Sequence, residues 1–481
     1  MADDVGGGKP SNTGGAGHDA VDSADSASAT DSTDTDSTDF ADPAGPVDPL
    51  LRVRNLTKHY PITEGLLARE VGRVRAVDGI DFEVRRGETV GLVGESGCGK
   101  STAATSLLRL EEPTAGEVRF EGEEVTEYDA AELKRFRRRA QMVFQDPTSS
   151  FDPRMTIGES VAEPLVVHGM TDGERRERIV RGVLERVGLS ADDADRYPHE
   201  LSGGQKQRVG LARGLVVDPS LVVADEPVSA LDVSIQAEIL SLLDDVQEAF
   251  GLGVLLISHD LAVVREVCDR VAVMYLGEIV ETAPTDELFE DPQHPYTRAL
   301  LGSIPRPDPH RRGSAVELTG DVPDPSDPPA GCRFHTRCPE VIQPDGYEFE
   351  QSVWRGVMDL RVRLRSGRFD DAVVRETAAE ADGVPAAELS PERVAAAVRE
   401  EFDLPAELGD DDAERVLSDA MSALVDGEVE TARERLAESF GTVCETVDPP
   451  LDATPAGHEA ACHLHGEPTE PGAAPDEGRA D

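Results

Sequence analysis

Thr89 to Thr102 reads T-V-G-L-V-G-E-S-G-C-G-K-S-T, and the reading of the whole chain turns on how this stretch is punctuated. Val90, Leu92 and Val93 form a short apolar strand that runs directly into Gly94, and Ser101 to Leu110 has the apolar spacing of a helix. Gly94, Gly99, Lys100 and Ser101 match G-x-x-x-x-G-K-[ST] in full, in the strand-turn-helix context that a phosphate-binding loop requires. In such a loop the glycines let backbone N–H groups and the helix N-terminus converge on a β-phosphate. Lys100 then reaches the β and γ oxygens, and the Ser101 hydroxyl ligates Mg²⁺. A glycine-rich turn that binds nothing has the same local spacing, so the residues downstream of the loop decide between the two.

With 481 residues the chain exceeds one typical domain, and two to three are expected. Its 96 acidic residues face 47 basic ones, for a net charge of -49, and only five of the basic residues are Lys. The acidity is spread along the chain rather than confined to a tail. Self-repulsion of this size opposes compaction in dilute buffer and is screened at about 1 M salt, where the Debye length is roughly 3 Å. The composition resembles that of a protein from a salt-accumulating halophile, and it argues against nucleic acid as a partner. No run of 18 apolar residues and no basic-then-apolar N-terminus is present, so a cytoplasmic location without a transmembrane helix or secretory signal is expected. Six cysteines are too few for a disulfide scaffold; four of them, Cys332, Cys338, Cys444 and Cys462, fall late and point to metal chemistry.

Residues 1–49 carry eleven Asp and almost no large apolar side chain, the composition of a disordered leader. From Leu51, two alternating apolar segments, Leu51 to Ile62 and Ile80 to Val84, predict a small antiparallel sheet. Tyr60, at the end of the first segment, is placed to stack on adenine or simply to pack at the surface. A hairpin over Gly116 to Glu123 and a basic helix over Ala131 to Arg139 come next. A strand at Gln141 to Phe144 then delivers Gln145 to a loop where its amide could reach Mg²⁺ or an attacking water. The periodicity is helical from Thr156 to about Arg196, a separate lobe that ends in Leu201-Ser202-Gly203-Gly204-Gln205, a second glycine turn at a helix start and a second candidate anion site. The apolar run Leu221 to Ala224 ends in Asp225-Glu226, as a buried parallel strand would deliver acids to its C-terminal end. There Asp225 would hold Mg²⁺ and Glu226 would polarise water. A third apolar strand, Gly253 to Ile257, leads to Ser258-His259-Asp260, and the sheet continues over Val271 to Val280.

In this order the loop, Gln145, the turn Leu201 to Gln205, Asp225-Glu226, the turn Ser229-Ala230-Leu231-Asp232 and His259 resemble the nucleotide-binding subunit of an ABC transporter. The match narrows. Q-D-P-T-S-S-F-D-P-R-M-T-I-G (Gln145 to Gly158), Y-P-H-E-L (Tyr197 to Leu201), E-P-V-S-A-L-D-V-S-I-Q (Glu226 to Gln236), H-P-Y-T-R-A-L (His294 to Leu300) and G-C-R-F-H-T-R-C-P (Gly331 to Pro339) are similar to the oligopeptide/dipeptide uptake family. The resemblance covers about Leu51 to Leu464 and implies an α/β fold. It would consist of a P-loop ABC nucleotide-binding domain with an antiparallel β subdomain over residues 50–284 (helical lobe about 146–200) and a family-specific C-terminal domain over residues 285–481.

The resemblance also implies roles. Tyr60, Gly94, Glu95, Ser96, Gly97, Cys98, Gly99, Lys100, Ser101 and Thr102 would bind ATP, and Ser101, Gln145 and Asp225 would hold Mg²⁺. Glu226 would be the general base, His259 would contact the γ-phosphate, and Gln145 would couple site closure to the membrane partner. Ser202, Gly203, Gly204 and Gln205 would act in trans across a dimer whose turn includes Asp232. The implied partners are a second ABC ATPase subunit, identical or different, two membrane permeases and an extracellular solute-binding protein. The chain would be peripheral to the cytoplasmic face of the membrane. Peptides are the implied cargo, with nickel or another small solute as the alternative. A soluble ABC protein would carry two cassettes or an interrupting coiled coil, and a non-catalytic one would lack Glu226 or His259.

The family has only a short link where this chain has residues 340–443, a block of 26 acidic and 11 basic residues. Ser390-Pro391-Glu392 reads as a helix start, and Val394 to Phe402, Ala413 to Val425 and Val429 to Phe440 have helical spacing, so a small helical insertion is expected. It reads as an inert, solvated elaboration rather than a regulatory module. By the resemblance, Cys332, Cys338, Cys444 and Cys462 would ligate a [4Fe-4S] cluster. Zinc, with His335, His463 and His465 nearby, is the alternative, and reduced buried thiols remain open. Cys98 is read as a spacer of the loop, and Cys268 as a core residue in the helix after His259.

Overall fold

The computed structural model describes residues 48–65, 69–146, 151–229, 231–303, 320–344 and 346–465. Residues 1–47 of the expected leader, residues 147–150 of the Gln145 motif and Ala230 lie outside the described residues. Among the described residues no helix is long and apolar enough to cross a membrane.

The chain opens with β1 (Leu51–Glu64) and β2 (Arg69–Val84), which pair antiparallel, followed by β3 (Thr89–Val93) and α1 (Lys100–Leu107). Next come β4 (Ala115–Phe120), β5 (Glu123–Glu124), α2 (Ala130–Arg139) and β6 (Ala140–Val143). A lobe of α3 (Ile157–Val167), α4 (Gly173–Arg186) and α5 (Gly203–Leu215) precedes β7 (Leu221–Asp225), α6 (Val233–Phe250), β8 (Gly253–Ser258), α7 (Leu261–Val267), β9 (Arg270–Tyr275) and β10 (Glu278–Pro284). One sheet has the order β2-β1-β4-β5, the antiparallel sheet expected from the alternating segments. The other has the order β11 (Asp452–Ala453), β12 (Glu459–Ala460), β10, β9, β3, β8, β7, β6, with β9, β3, β8, β7 and β6 parallel.

Every residue of β3, β7 and β8 is buried, which is why these strands read as unbroken apolar runs. Successive side chains feed opposite cores. Leu221, Val223, Leu255 and Ile257 join a core under the antiparallel sheet, whereas Val222, Ala224, Val254 and Leu256 join the larger one. Because the parallel strands point the same way, β3, β6, β7 and β8 bring the chain at Gly94, Gln145, Glu226 and His259 to one edge, where open α/β sheets bind ligands.

Beyond β10 lie α8 (Thr285–Glu290) and α9 (Pro295–Gly302), then five helices: α10 (Gln351–Arg365), α11 (Asp371–Asp382), α12 (Pro391–Glu401), α13 (Asp411–Val425) and α14 (Val429–Ser439). The insertion therefore holds two helices more than its sequence suggested. Ser390 does cap α12, accepting from Arg393 N–H at 3.3 Å. The block has a true core in which Trp354, Leu417, Met421, Leu424, Leu436 and Phe440 are buried, its acids lying outside it. After α15 (Val443–Thr446), the short strands β11 (Asp452–Ala453) and β12 (Glu459–Ala460) return to the main sheet, β12 pairing with β10 at Ala460 and Glu281. The tail thus extends the same sheet that holds the phosphate-loop strand. Cys268 is not inside the helix after His259 but caps α7 in an extended conformation, and burial pushes its thiol pKa up.

Candidate active site

Gly94 to Gly99 curl tightly because two of their glycines leave no room for a side chain. At Gly94 (φ +154°) a Cβ would lie 2.1 Å from the Met274 carbonyl oxygen, and at Gly99 (φ +111°) one would lie 1.9 Å from that of Ala76. Both obstacles are backbone, so neither can swing aside. Lys100 is buried, its ammonium donating to the carbonyls of Gly94 (2.8 Å) and Glu95 (2.9 Å), which aims the charge across the loop mouth. Ser101 Oγ donates to Asp225 Oδ1 at 3.2 Å, joining the loop to the end of β7.

Asp225 is buried, and burial raises its carboxyl pKa, with Ser101 pulling it down and neighbouring Glu226 pushing it up. A hydroxyl and a partly desolvated carboxylate facing a phosphate loop are the hard oxygen donors that suit Mg²⁺, so the residues present fit that ion. Glu226, the next residue, has φ +46°, a left-handed backbone that side chains adopt at a cost of order 1–3 kcal/mol. That turn points its carboxylate back over the site. His259 Nδ1 lies 2.8 Å from Glu226 Oε1, and Gln145 Nε2 donates to Glu226 Oε2 at 2.7 Å and to Ser229 Oγ at 3.3 Å. Gln145 therefore contacts the general-base candidate, on the side where an attacking water was expected, while Ser101 and Asp225 pair with each other.

Ser202 caps α5, its hydroxyl accepting from Gln205 N–H at 3.3 Å while Gln205 Oε1 accepts from Ser202 N–H at 3.0 Å. A Cβ at Gly204 would press on Ile235 at 2.7 Å, so the turn lies flat against α6, the helix that Asp232 precedes without a side-chain capping bond. Tyr60 has its hydroxyl bonded to Glu111 and Lys58 Nζ over its ring at 4.9 Å.

The late cysteines do come together. Cys332 N–H donates to the Cys444 carbonyl at 3.0 Å. Burial drives the Cys332 and Cys338 thiol pKa values up, and the other two cysteines push both further. Among the described residues, however, no group of three or more His, Cys, Asp or Glu side chains is arranged to hold a metal ion. The nearby histidines are turned elsewhere: His335 Nδ1 lies 2.7 Å from the Cys332 carbonyl, His463 Nε2 2.9 Å from that of Val447, and His465 Nε2 2.9 Å from that of Gln293.

A phosphate loop, a histidine after the neighbouring strand, a carboxylate pair on the strand beyond it and a glycine turn capping a lobe helix define an ATP-hydrolysing cassette of the ABC type. Comparison with known proteins agrees. The ABC transporter profile matches residues 77–229, and that of the oligopeptide/dipeptide transporter C-terminal region matches residues 280–344. A peptide import ATP-binding protein of Brucella ovis is 54% identical over 61% of this chain and 90% of its own length. The oligopeptide transport ATP-binding protein AppF of Bacillus subtilis is 49% identical over 61% and 90%, and the dipeptide transport ATP-binding protein DppF of Haemophilus influenzae 48% over 60% and 88%. The chain belongs to the ATP-binding proteins of the oligopeptide/dipeptide ABC transporter family. Residues 351–457 match a domain of unknown function, DUF8228, which takes in all five helices of the insertion.

Proposed function

We propose that this chain is the ATP-hydrolysing subunit that energises peptide uptake across the cell membrane. The observation that carries the reading is the Glu226 carboxylate, held between His259 and Gln145 at the end of a buried strand, beside Ser101 and Asp225. Glu226 takes the proton of the attacking water as general base, and His259 fixes its orientation and meets the γ-phosphate. Lys100 neutralises charge on the transferring phosphoryl group, helped by the Ser202 turn of a second subunit. Ser101 and Asp225 would hold Mg²⁺, which would supply neutralisation of phosphate charge. Gln145 links the site to the membrane partner, because its amide lies where the sheet passes into the helical lobe.

The proposed assembly is a dimer of ATPase subunits, identical or paired with a different one, on two permeases at the cytoplasmic face of the membrane, served by an extracellular solute-binding protein. Peptides are the cargo by the names of the relatives; nickel or another small solute is the alternative. The net charge of -49 supports a working environment of concentrated salt. A [4Fe-4S] cluster on Cys332, Cys338, Cys444 and Cys462, whose thiols lie close enough to raise one another's pKa, is the reading for this cysteine quartet, with zinc as the alternative. Zinc would need all four sulfurs at about 2.3 Å from a single centre.

The test is reconstitution with permeases and a binding protein encoded beside this chain, followed by ATP-driven accumulation of labelled peptide in proteoliposomes. Accumulation that depends on ATP and on peptide identity is expected. ATP hydrolysis that drives nickel and ignores peptides would refute the cargo.

A further inference from the structure

The phosphate loop is tied to the cysteine-bearing loop, 242 residues away in sequence, through one buried arginine. Arg337 NH1 donates to Glu95 Oε2 at 2.7 Å and NH2 to Glu95 Oε1 at 3.1 Å, a bidentate pair. The Arg337 side chain is 6% exposed, so the pair is largely out of water on that side. Its guanidinium carbon lies 5.9 Å from the centre of the Tyr275 ring. Tyr275, Tyr296 and Phe334 pack ring on ring at 4.7 to 5.3 Å, and the Tyr296 hydroxyl accepts the Glu95 N–H at 2.9 Å. Glu95 is thus held at both its backbone and its carboxylate by the C-terminal region, while its carbonyl receives Lys100.

A second tie runs beside the first. Arg333 NH1 donates to the Leu276 carbonyl at 2.6 Å, and the next residue, Gly277, donates its N–H to the carbonyl of Cys98 in the phosphate loop at 2.9 Å. The loop that supplies both arginines is itself gripped by the insertion. Arg355 of α10 donates to the carbonyls of His335 (3.2 Å), Thr336 (2.6 Å) and Cys338 (3.0 Å).

A carboxylate inside a loop that must receive the ATP phosphates repels them unless its charge is cancelled. We propose that Arg337 is a positioning residue for ATP binding: it neutralises Glu95 and fixes the phosphate loop, and α10 of the insertion, through Arg355, holds Arg337 in place. The insertion thereby acts on the nucleotide site, a task its solvated, acidic surface did not suggest. The proposal rests on the reading of Gly94 to Thr102 as the ATP loop.

The experiment is equilibrium titration of the full chain with a fluorescent ATP analogue, alongside thermal unfolding. Arg337→Gln is expected to raise the Kd about tenfold, the equivalent of 1.4 kcal/mol, by leaving Glu95 uncompensated. Adding Glu95→Gln to that variant should recover most of the loss, which a merely structural role of Arg337 would not produce. Arg337→Lys keeps the charge without the fork; it should give an intermediate Kd, and it carries the comparison if Arg337→Gln does not fold. Arg355→Gln should weaken binding in the parent and add nothing in the Arg337→Gln background. Lys100→Ala separates the two readings. If it loses affinity while Arg337→Gln and Arg337→Lys bind like the parent, the positioning role is overturned and the loop reading stands; if Lys100→Ala also binds like the parent, the loop reading falls first.

Discussion

Glu226→Gln isolates the general base, because the structure tells which contacts survive. The amide is the same size as the carboxylate, and its oxygen can keep accepting from Gln145 Nε2, now 2.7 Å from Oε2. Its NH₂ would then face His259 Nδ1, 2.8 Å from Oε1, which accepts when the imidazole carries its proton on Nε2. Neither Ser101, Asp225 nor Lys100 touches Glu226 by a hydrogen bond that the change would break, so ATP and Mg²⁺ should bind as before. What disappears is proton acceptance from water, a contribution of about 10²–10⁴ in rate, or roughly 3–5 kcal/mol on the barrier at 1.36 kcal/mol per tenfold. The assay is phosphate release by the reconstituted transporter at saturating ATP, with size-exclusion chromatography to detect an ATP-locked dimer. Loss of turnover with retained nucleotide and an accumulated dimer is expected. Hydrolysis within tenfold of the parent would refute the assignment, and loss of ATP binding would show that Glu226 holds nucleotide instead of activating water.

Lys100→Ala removes the cation at the loop mouth together with its ties to the Gly94 and Glu95 carbonyls, so ATP affinity itself should fall at least about tenfold in a direct titration. Lowering KCl from molar to about 0.1 M, where the Debye length grows to roughly 10 Å, should lower the unfolding midpoint, and a midpoint insensitive to salt would contradict the repulsion argument. Burial pushes the Glu278 carboxyl pKa up to about 8 from 4.5, even with Arg333 2.7 Å away. Between those values the native state keeps a proton that the unfolded chain has released, so stability falls as pH rises from about 5 to 8, and Tm measured over this range should flatten in Glu278→Gln. Anaerobic purification followed by iron, sulfide and zinc analysis should return iron with sulfide; zinc alone would support the single-ion alternative, and neither metal at stoichiometric level would leave four thiols.

The catalytic edge was legible because its strands are buried on both faces and each leads to a residue type that chemistry demands: glycine after β3, paired acids across the end of β7, histidine after β8. The orientation of Gln145 was not, since spacing gives an amide's position but not the partner its donor selects. In the insertion, α12 to α14 carried caps or bounding glycines. The first helix, α10, is preceded by Glu350, which makes no side-chain capping bond, and its arginines interrupt an apolar face whose Trp354, Val357, Met358, Leu360 and Leu364 are buried. Helix α11 did carry signals, Asp370 at its start and Gly383 at its end. The strands β11 and β12, two residues each, are too short for any period. The Arg337–Glu95 pair joins residues brought together only by tertiary folding.

The two ends of the insertion meet. Thr442 Oγ1 donates to the Ile342 carbonyl at 2.6 Å, and Cys332 N–H to the Cys444 carbonyl, so about a hundred residues leave and re-enter the domain through one narrow stem. A stem closed in this way makes the block a removable cassette in its own right: a gene could acquire or shed it at a single point without altering the register of any strand in the ATPase sheet. The same closure means that a short turn joining residues 342 and 442 should give a shorter chain in which the cysteine loop survives but has lost the arginine that braces it from outside.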